Sequence, residues 1–478
     1  MRILLVLIIA FLASSDIPVE PEKALARKPN ILFIFTDDQR YNTIRALGDP
    51  VVITPTLDSL VRAGTTFTHA YNMGAWHGAV CVASRAMLVT GLPVWKAQQA
   101  EKNYRALVNA NGFWSQQLKK AGYETYMTGK WHVNTDVNRL FDHVTHERPG
   151  MPNQNPAGYH RPSSPQDTTW QPWDEEYGGF WKGGKHWSEV LADDAVGYLK
   201  EASQKDTPFF MYLAFNAPHD PRQSPKKYVD MYPLDKIPVP VSYLDEYPYK
   251  DAMGCGKELR DEWLAPFPRT PYAIKKNIQE YYASISHLDA QIGRILRALA
   301  QSGKLDNTYI FFTADHGLAV GHHGLLGKQS QFDHSVRAPL VAIGPTIPKG
   351  EKRNQQVYLQ DIMATTYELA GATKPSHVYF NSLLPLIKNK KATGAYPEIY
   401  GSYMDLQRMV RTDQYKLIVY PKVPKLLLFD IRKDPAEMHD LAEQKAYKTV
   451  LQDLKNRLLR QQQQLNDPLD LSAILKPI

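Results

Sequence analysis

Three apolar segments stand out along the chain, and each is followed by side chains that can bind a metal ion. Residues 30–35, 208–215 and 308–313 are almost uninterrupted aliphatic and aromatic runs, the pattern of strands buried on both faces of a sheet. Acidic or imidazole residues follow all three runs: Asp37, Asp38, His219, Asp315 and His316. Because ligands collect at the carboxyl ends of strands in open α/β sheets, we expect these side chains to meet at one sheet edge.

Segments with helical periodicity alternate with further short strands. The first begins at Pro55 and is closed by Gly64, residues typical of a helix start and a helix end. Helices are predicted at residues 55–63, 113–121, 187–200, 272–301 and 360–370, and further strands at 65–70 and 339–343. This alternation indicates an α/β fold. After about residue 396 the pattern changes to strands at hairpin spacing, at 408–411, 415–420 and 426–430, followed by a helix at 448–464.

The segment from Cys81 to Gly91 combines reactive residues with an apolar helical run. Its first five residues read Cys-Val-Ala-Ser-Arg. A helix that begins near Ala83 would place Cys81 at its N-terminus, where unpaired N–H groups favour negative charge, with Arg85 one turn further on. The alternative is a buried structural cysteine beside an arginine in an ordinary ion pair.

The amino-acid sequence of this segment resembles the signature of the type I sulfatases, Cys-x-Pro/Ala-Ser-Arg followed by a Leu/Met-rich helix and Thr-Gly. Gly129-Lys130-Trp131-His132 resembles the second signature of the same family, and Lys328 lies in a glycine-rich loop like the one that carries a sulfate-binding lysine there. The resemblance extends along nearly the whole chain and points to the iduronate-2-sulfatase-like, polysaccharide-sulfatase branch. The commonest version of the signature has proline where this chain has Ala83.

The resemblance implies an alkaline-phosphatase-like sulfatase fold. Such a fold has a large, mostly parallel central sheet flanked by helices, and a smaller C-terminal antiparallel sheet with a helix. The expected division is a catalytic domain at residues 28–395 and a C-terminal subdomain at 396–478. In this family a maturation enzyme oxidises the signature cysteine to formylglycine, whose hydrate attacks the sulfate ester.

The resemblance also implies roles for the site residues. One divalent cation would be held by Asp37, Asp38, Asp315, His316 and the nucleophile at position 81. Calcium is expected, with magnesium or manganese as alternatives. Arg85, Lys130 and Lys328 would neutralise sulfate oxygens. His132 and His219 would transfer protons for the hydrate and the leaving alcohol.

Residues 150–190 are rich in proline and glycine and carry four of the nine tryptophans, Trp170, Trp173, Trp181 and Trp187. One interpretation is a set of sugar-stacking platforms beside a cleft. The other is a loop fixed to the body of the protein by its aromatic side chains.

The net charge and the N-terminal sequence indicate which partners the protein binds and where in the cell it acts. The 478 residues carry a formal charge of +7, which favours acidic partners. Without an arginine-rich tract or nucleic-acid motif, a sulfated carbohydrate is preferred over nucleic acid.

Residues 1–15 resemble a secretory signal peptide, with Arg2, an apolar run at 3–12 and small residues after it. The expected mature protein is exported, periplasmic or secreted, without an integral membrane segment; a retained N-terminal anchor is the alternative.

Competing interpretations remain open at this point. The two cysteines, Cys81 and Cys255, could form a disulfide, which would consume the proposed nucleophile. A small aryl or choline sulfate hydrolase, or a phosphohydrolase of the same superfamily, would use a similar site. A non-catalytic protein that binds sulfated glycans is a further possibility.

Overall fold

The computed structural model describes residues 28–150, 156–177 and 181–476, so the predicted signal peptide at 1–15 lies outside the described residues. The strands are β1 (Asn30–Thr36), β2 (Thr65–Tyr71), β3 (Gly74–Ala75), β4 (Glu124–Lys130), β5 (His143–Arg148), β6 (Trp181–Lys182), β7 (Lys185–His186), β8 (Phe209–Ala214), β9 (Thr308–Ala314), β10 (Arg337–Ala338), β11 (Leu340–Ile343), β12 (Glu351–Tyr358), β13 (Ile399–Tyr403), β14 (Gln407–Arg411), β15 (Tyr415–Tyr420) and β16 (Lys425–Asp430).

The same residues form twelve α-helices. These are α1 (Pro55–Ala63), α2 (Val80–Thr90), α3 (Val94–Glu101), α4 (Tyr104–Asn109), α5 (Trp114–Lys120), α6 (Trp187–Ser203), α7 (Lys226–Val229), α8 (Pro271–Gln301), α9 (Asp333–Val336), α10 (Asp361–Leu369), α11 (Leu384–Lys388) and α12 (Lys448–Leu465). Among the described residues, no helix is both long and apolar enough to cross a membrane.

The large sheet brings the three apolar segments together. Its order is β10-β2-β11-β9-β1-β8-β4-β5, with β12 added alongside β2. The central strand β1 pairs in parallel with β8 on one side and β9 on the other, whereas β10 and β11 run antiparallel to their neighbours. The predicted α/β fold with a large, mostly parallel sheet is therefore confirmed, and the carboxyl ends of β1, β8 and β9 lie at one edge.

Alternate side chains of β1 pack against helices on both faces of this sheet. Leu32 and Ile34 belong to an apolar cluster that includes residues of α1, α6 and α8, while Phe33 and Phe35 face the cluster that contains Met87 of α2 and residues of α5. Each fully buried aliphatic or aromatic side chain contributes about 1.5–3 kcal/mol. This two-sided burial explains why the strand is a continuous apolar run rather than an alternating one.

The smaller sheet has the order β16-β15-β14-β13-β3. The predicted bounds of β14, β15, β16 and α12 agree with the structure to within one residue, whereas β13 and β3 were not predicted. Strand β3 pairs in parallel with β13, although it lies only a few residues before Cys81 in sequence. The smaller sheet is thus antiparallel except at this edge, where it takes a strand from the N-terminal part of the chain.

The tryptophan-rich segment corrects one expectation. Trp170 is only 1% exposed; its indole N–H donates to Glu280 Oε1 at 2.7 Å, and the Arg161 guanidinium lies 3.7 Å from its ring centre. A sugar cannot reach this ring, so the interpretation as a stacking platform is wrong for Trp170. Trp173, Trp181 and Trp187 are half-buried. For Trp170 the alternative of a loop fixed by its aromatic side chain is the correct one.

Candidate active site

Five side chains predicted from the strand ends come together at the edge formed by β1, β8 and β9. Asp37, Asp38, Asp315 and His316 are fully buried, and His219 is 2% exposed. Asp38 has a positive φ of 66°, a conformation that aspartate tolerates better than most residues because its short side chain can bond locally. A strained backbone at this position is typical of functional sites.

Ligand atoms of Asp37, Cys81, Asp315 and His316 all lie within 4.8 Å of one another. Asp38 is outside that group, but forms a second one with Asp37 and His219. Burial and the charge of Asp37 raise the pKa of Asp315 to about 7. Asp37 Oδ1 and His316 Nε2 are buried without a hydrogen-bond partner among the described residues. Two buried atoms with unused lone pairs, beside other carboxylates, suit a cation.

Cys81 is the second residue of α2, because the helix begins at Val80 rather than near Ala83. The N-cap residue Ala79 gives no side-chain hydrogen bond to the first turn, which leaves its backbone N–H groups available beside the cysteine. His132 Nδ1 lies 3.3 Å from Cys81 Sγ, and Lys130 Nζ lies 3.8 Å from it. The two signature segments, distant in sequence, therefore meet at this thiol.

The residues around Lys130 show why the second signature contains glycine. Gly129 has a φ of +97°, and a Cβ there would lie 2.0 Å from the carbonyl oxygen of Ala214 in the neighbouring strand. His132 also has a positive φ, 55°. The chain turns sharply after β4, and this turn directs His132 towards Cys81.

The surroundings of Cys81 favour an anionic atom at this position. Burial raises the pKa of the thiol, but the charges of Lys130 and His132 and hydrogen bonds from His132 and His219 outweigh it, so the pKa lies well below its usual range. Burial lowers the pKa of His132.

Arg85 holds the carboxylates of the strand ends. Its guanidinium is fully buried, with Nε donating to Asp315 Oδ2 at 3.1 Å and Nη1 donating to the Lys130 carbonyl at 2.7 Å. Nη2 lies 3.7 Å from Asp37 Oδ1. Arg85 Nη2 has no hydrogen-bond partner among the described residues, so the predicted donation from Arg85 to a sulfate oxygen stays a prediction.

The two predicted lysines lie on either side of this set. Lys130 Nζ is paired with Asp37 Oδ2. Lys328 Nζ donates to both carboxylate oxygens of Asp38 at 3.0 and 2.9 Å and lies 2.8 Å from His219 Nε2. Burial lowers the pKa of His219, but Asp220 and Asp38 raise it to about 10 overall.

A cavity of about 200 Å³ opens onto these groups. It is lined by Gly78, Ala79, Cys81, His132, His219, Leu259, Arg260, Asp261, Lys328 and Gln329. Cys81, His132, His219 and Lys328 are thus the predicted residues that an incoming ligand would meet. Six predicted residues are absent from its lining: Asp37, Asp38, Asp315, His316, Arg85 and Lys130.

Sequence reasoning missed several groups at this cavity. Asp220 Oδ1 lies 3.0 Å from His219 Nδ1, and Asp261 Oδ2 accepts from Gln329 at 2.9 Å. Arg260 pairs with Asp261 at 2.7 Å. Asp220 could have been suspected because it adjoins His219. Nothing in the proline-rich stretch that contains Arg260 and Asp261 signals that the chain returns to the site there.

The disulfide alternative is excluded, because both cysteines are free. Cys255 is buried, and its thiol donates to the backbone carbonyl of Gln329 at 3.1 Å. Burial raises its pKa well above the usual value, so the two thiols have opposite environments.

Comparison with known proteins gives consistent matches. A family model described as "Sulfatase" matches residues 29–372, and one described as "N-sulphoglucosamine sulphohydrolase, C-terminal" matches residues 321–464. The chain is 28% identical over 466 residues to an arylsulfatase of Clostridium perfringens (strain 13 / Type A), covering 91% of this chain and 94% of that protein.

Two further relatives extend this result. An N-acetylglucosamine-6-O-sulfatase of Bacteroides thetaiotaomicron is 25% identical over 537 residues, covering 95% of this chain and 90% of that protein. A solved structure described as a complex with its substrate D-glucosamine-2-N,6-O-disulfate superposes with a TM-score of 0.72 at 22% identity, covering 92% of this chain and 99% of that one. At this identity the superposition establishes the fold.

Proposed function

This chain belongs to the sulfatase family and is a sulfuric ester hydrolase, and from that premise we propose that it removes sulfate from the sugars of a sulfated glycan. The observation that carries the proposal is the position of Cys81. Cys81 lines the cavity, and His132 Nδ1 and Lys130 Nζ lie beside its sulfur. We propose that Cys81 is converted to formylglycine. A hydroxyl of the aldehyde hydrate would then stand where Sγ lies now and act as the nucleophile.

Asp37, Asp315 and His316, with the oxygen at position 81, fit one divalent cation. The argument rests on the unpartnered Asp37 Oδ1 and His316 Nε2 and on an oxygen-rich donor set, which hard cations prefer. Asp38, which forms a second group with Asp37 and His219, would be a further ligand of the same cation. Calcium is the cation proposed, with magnesium and manganese as alternatives. When bound, such an ion would stabilise negative charge on the nucleophile and polarise the sulfate.

The contacts of the remaining residues suggest a separate role for each of them in the reaction. Lys130 and Lys328 would donate to sulfate oxygens as negative charge develops in the transition state. Arg85 would hold the carboxylates of Asp37 and Asp315 in place, and its unpartnered Nη2 would donate to a sulfate oxygen. His132 is close enough to take a proton from the nucleophilic hydroxyl. His219 also lines the cavity and would give a proton to the leaving alcohol.

A sugar sulfate is supported by the named substrates of two similar proteins. One is described as an N-acetylglucosamine-6-O-sulfatase, and the other binds D-glucosamine-2-N,6-O-disulfate. The net charge of +7 also favours a polyanionic glycan. Export through the apolar segment at residues 3–12 and maturation by a formylglycine-generating enzyme belong to the same proposal.

The test begins with mass spectrometry of the tryptic peptide 63–85, from protein expressed with a formylglycine-generating enzyme. We expect a peptide lighter than the cysteine form, as replacing the thiol group by an aldehyde oxygen requires. Protein lacking the conversion is then compared with converted protein on sulfated sugars, an aryl sulfate, choline sulfate and a phosphate monoester.

Conversion should raise sulfate release from the sugars more than release from the other esters. Cys255→Ala is the matched control, because Cys255 is equally buried but lies outside the nucleophile position. Unconverted protein with full activity, or a preference for the phosphate ester, contradicts the proposal.

A further inference from the structure

The most exposed tryptophan lies outside the tryptophan-rich segment. Of the nine tryptophans in the chain, Trp263 is 51% exposed, whereas the others are buried or half-buried. An exposed tryptophan leaves a large apolar ring in water, and such rings recur where one face receives a ligand. The position of this ring relative to the active-site cavity therefore matters.

The backbone and side chain of Trp263 are fixed by their neighbours. It lies in a 3₁₀ helix, Arg260–Leu264, whose other residues anchor it. Leu264 is fully buried, and the buried Glu262 accepts from the backbone N–H of Leu326 at 3.0 Å. The indole N–H donates to the Lys257 carbonyl at 2.9 Å. The ring is thus exposed without being free to move, which reduces the entropy lost when a ligand binds.

The same 3₁₀ helix contributes residues to two cavities. Arg260 and Asp261 line the active-site cavity of about 200 Å³, while Glu262 and Trp263 line a neighbouring cavity of about 480 Å³. Side chains three residues apart lie on the same side of a 3₁₀ helix, so Arg260 and Trp263 share a face. Tyr159 contacts both of them, with its ring 5.7 Å from the Arg260 guanidinium and 6.4 Å from the Trp263 ring.

The neighbouring cavity has the chemistry of a sugar site. Besides the Trp263 ring it presents hydroxyl, imidazole, ammonium and carboxylate groups, from Ser163, His160, Lys257 and Asp167. The hydroxyl of Thr169, which also lines it, donates to Asp167 Oδ1 at 2.7 Å. Its buried charges are already paired, Arg161 with Glu280 and Glu262 with Arg269. Its volume falls within the range of about 300–1,000 Å³ typical of small-ligand sites, whereas the active-site cavity is smaller than that range.

We propose that the cavity beside Trp263 binds the sugar ring next to the sulfated one, with its apolar face stacked on the indole. The inference rests on the proposed function and deepens it, because it makes an oligosaccharide of two or more rings the preferred substrate. The sulfated ring occupies the active-site cavity, and the glycosidic link passes beside Arg260. Lys257, which makes no ion pair among the described residues, faces the second ring.

The experiment compares three substrates: an aryl sulfate, a sulfated monosaccharide, and an oligosaccharide that carries the same sulfated sugar at its end. The variants are Trp263→Ala, Trp263→Phe, which keeps an aromatic face, and Tyr379→Ala as a control. Tyr379 is 37% exposed and lines neither cavity. The measured quantity is the ratio of kcat/KM for the oligosaccharide to kcat/KM for the monosaccharide.

We expect the wild-type ratio to exceed one, and Trp263→Ala to lower it by about five- to tenfold, mainly through KM, the loss of one stacking contact. Trp263→Phe should retain most of the ratio, and Tyr379→Ala should retain all of it. An unchanged ratio in Trp263→Ala overturns the inference, as does a change in oligomeric state without a change in the ratio. Absence of sulfate release from all three substrates in the wild type would instead refute the proposed function.

Discussion

Two groups of buried charges in this protein have similar composition but different arrangements. The strand-end cluster consists of Asp37, Asp38, Asp315, Arg85, Lys130 and Lys328. The small-sheet cluster consists of Asp333, Glu437, Arg411 and Lys416. Every side chain in both groups is almost completely excluded from solvent.

In the small-sheet cluster a lysine separates the carboxylates. Lys416 Nζ lies 2.6 Å from Asp333 Oδ1 and 2.5 Å from Glu437 Oε1, and Arg411 Nε lies 3.4 Å from Asp333 Oδ1. The Asp333 backbone N–H donates to Glu437 Oε2 at 2.6 Å. The cluster therefore connects β14 and β15 to the first residue of α9 and to the loop that carries Glu437, through oppositely charged neighbours.

In the strand-end cluster the carboxylates converge on one another. Oxygens of Asp37 and Asp315 lie within 4.8 Å of each other and of Cys81 Sγ and His316. Arg85 contacts both Asp37 and Asp315, and Lys130 contacts Asp37, yet oxygens of the two carboxylates stay close enough to share one cation. Converging like charges are unfavourable unless a cation joins them. Burial of charge alone therefore does not identify a site; convergence of like charges beside a cavity does.

The largest expected difference between the clusters comes from removing the nucleophile. Cys81→Ala should lower kcat/KM by at least about 10³-fold, because no hydroxyl can form at that position. Its melting temperature should stay close to that of the wild type, since a small side chain at a cavity wall is lost. Sulfate release and thermal unfolding are measured on the same preparations. Substantial turnover by this variant would show that the strand-end cluster is not the reactive one.

The small-sheet cluster should respond in the opposite way. Lys416→Met leaves Asp333 and Glu437 buried without their shared cation, which should cost about 3–5 kcal/mol of unfolding free energy. Turnover per folded molecule should be retained. Urea unfolding provides the measurement, and Lys422→Met is the matched control. The Lys422–Asp405 pair is 52% and 57% exposed, so its loss should cost at most about 1 kcal/mol.

Cation removal should separate the two clusters further. At a calcium concentration about 100-fold above Kd, binding should stabilise the protein by about 2.7 kcal/mol, and chelation should remove that stabilisation together with activity. Asp315→Asn should weaken the response, whereas Glu437→Gln should keep it. Calorimetric titration gives the stoichiometry, with one ion expected. Two ions per chain, or an equal response of both variants, would contradict the assignment.

A pH dependence is also expected within the small-sheet cluster. Burial and the charge of Asp333 raise the pKa of Glu437 to about 7, against the opposing charge of Lys416. Because the folded state then holds its proton more tightly than the unfolded state, Glu437 makes the protein less stable as pH rises from about 4.5 to about 7. The loss is about 3 kcal/mol at most.

The neighbouring Asp333 does not obscure this window. Burial raises its pKa, but Lys416, Arg411 and Arg337 outweigh that effect and hold it far below its usual range, so its own contribution is complete above about pH 5. Urea unfolding at several pH values should show a shallower decline in Glu437→Gln than in the wild type. An equal slope in both proteins would assign the decline to other groups.

Much of the fold could be predicted from local patterns. The apolar runs of β1, β8 and β9 and the helical periodicity of α8 appear in the structure within one or two residues of their predicted ends. A strand buried on both faces needs continuous apolar sequence, and this local requirement is readable without tertiary information. Strands including β3, β5, β12 and β13 were missed, because short or half-exposed strands carry a weak periodic signal.

The sequence by itself also determined which residue types end the central strands, since Asp37, Asp38, His219, Asp315 and His316 follow their strands directly. Only the tertiary structure decided what each charge faces. Arg85 turned out to hold carboxylates, Trp170 to be buried, and Trp263 to be the exposed ring beside the site. These outcomes depend on contacts between residues more than a hundred positions apart, and on loops whose sequence has no period. Such contacts form only when the whole core packs, so no local pattern can encode them.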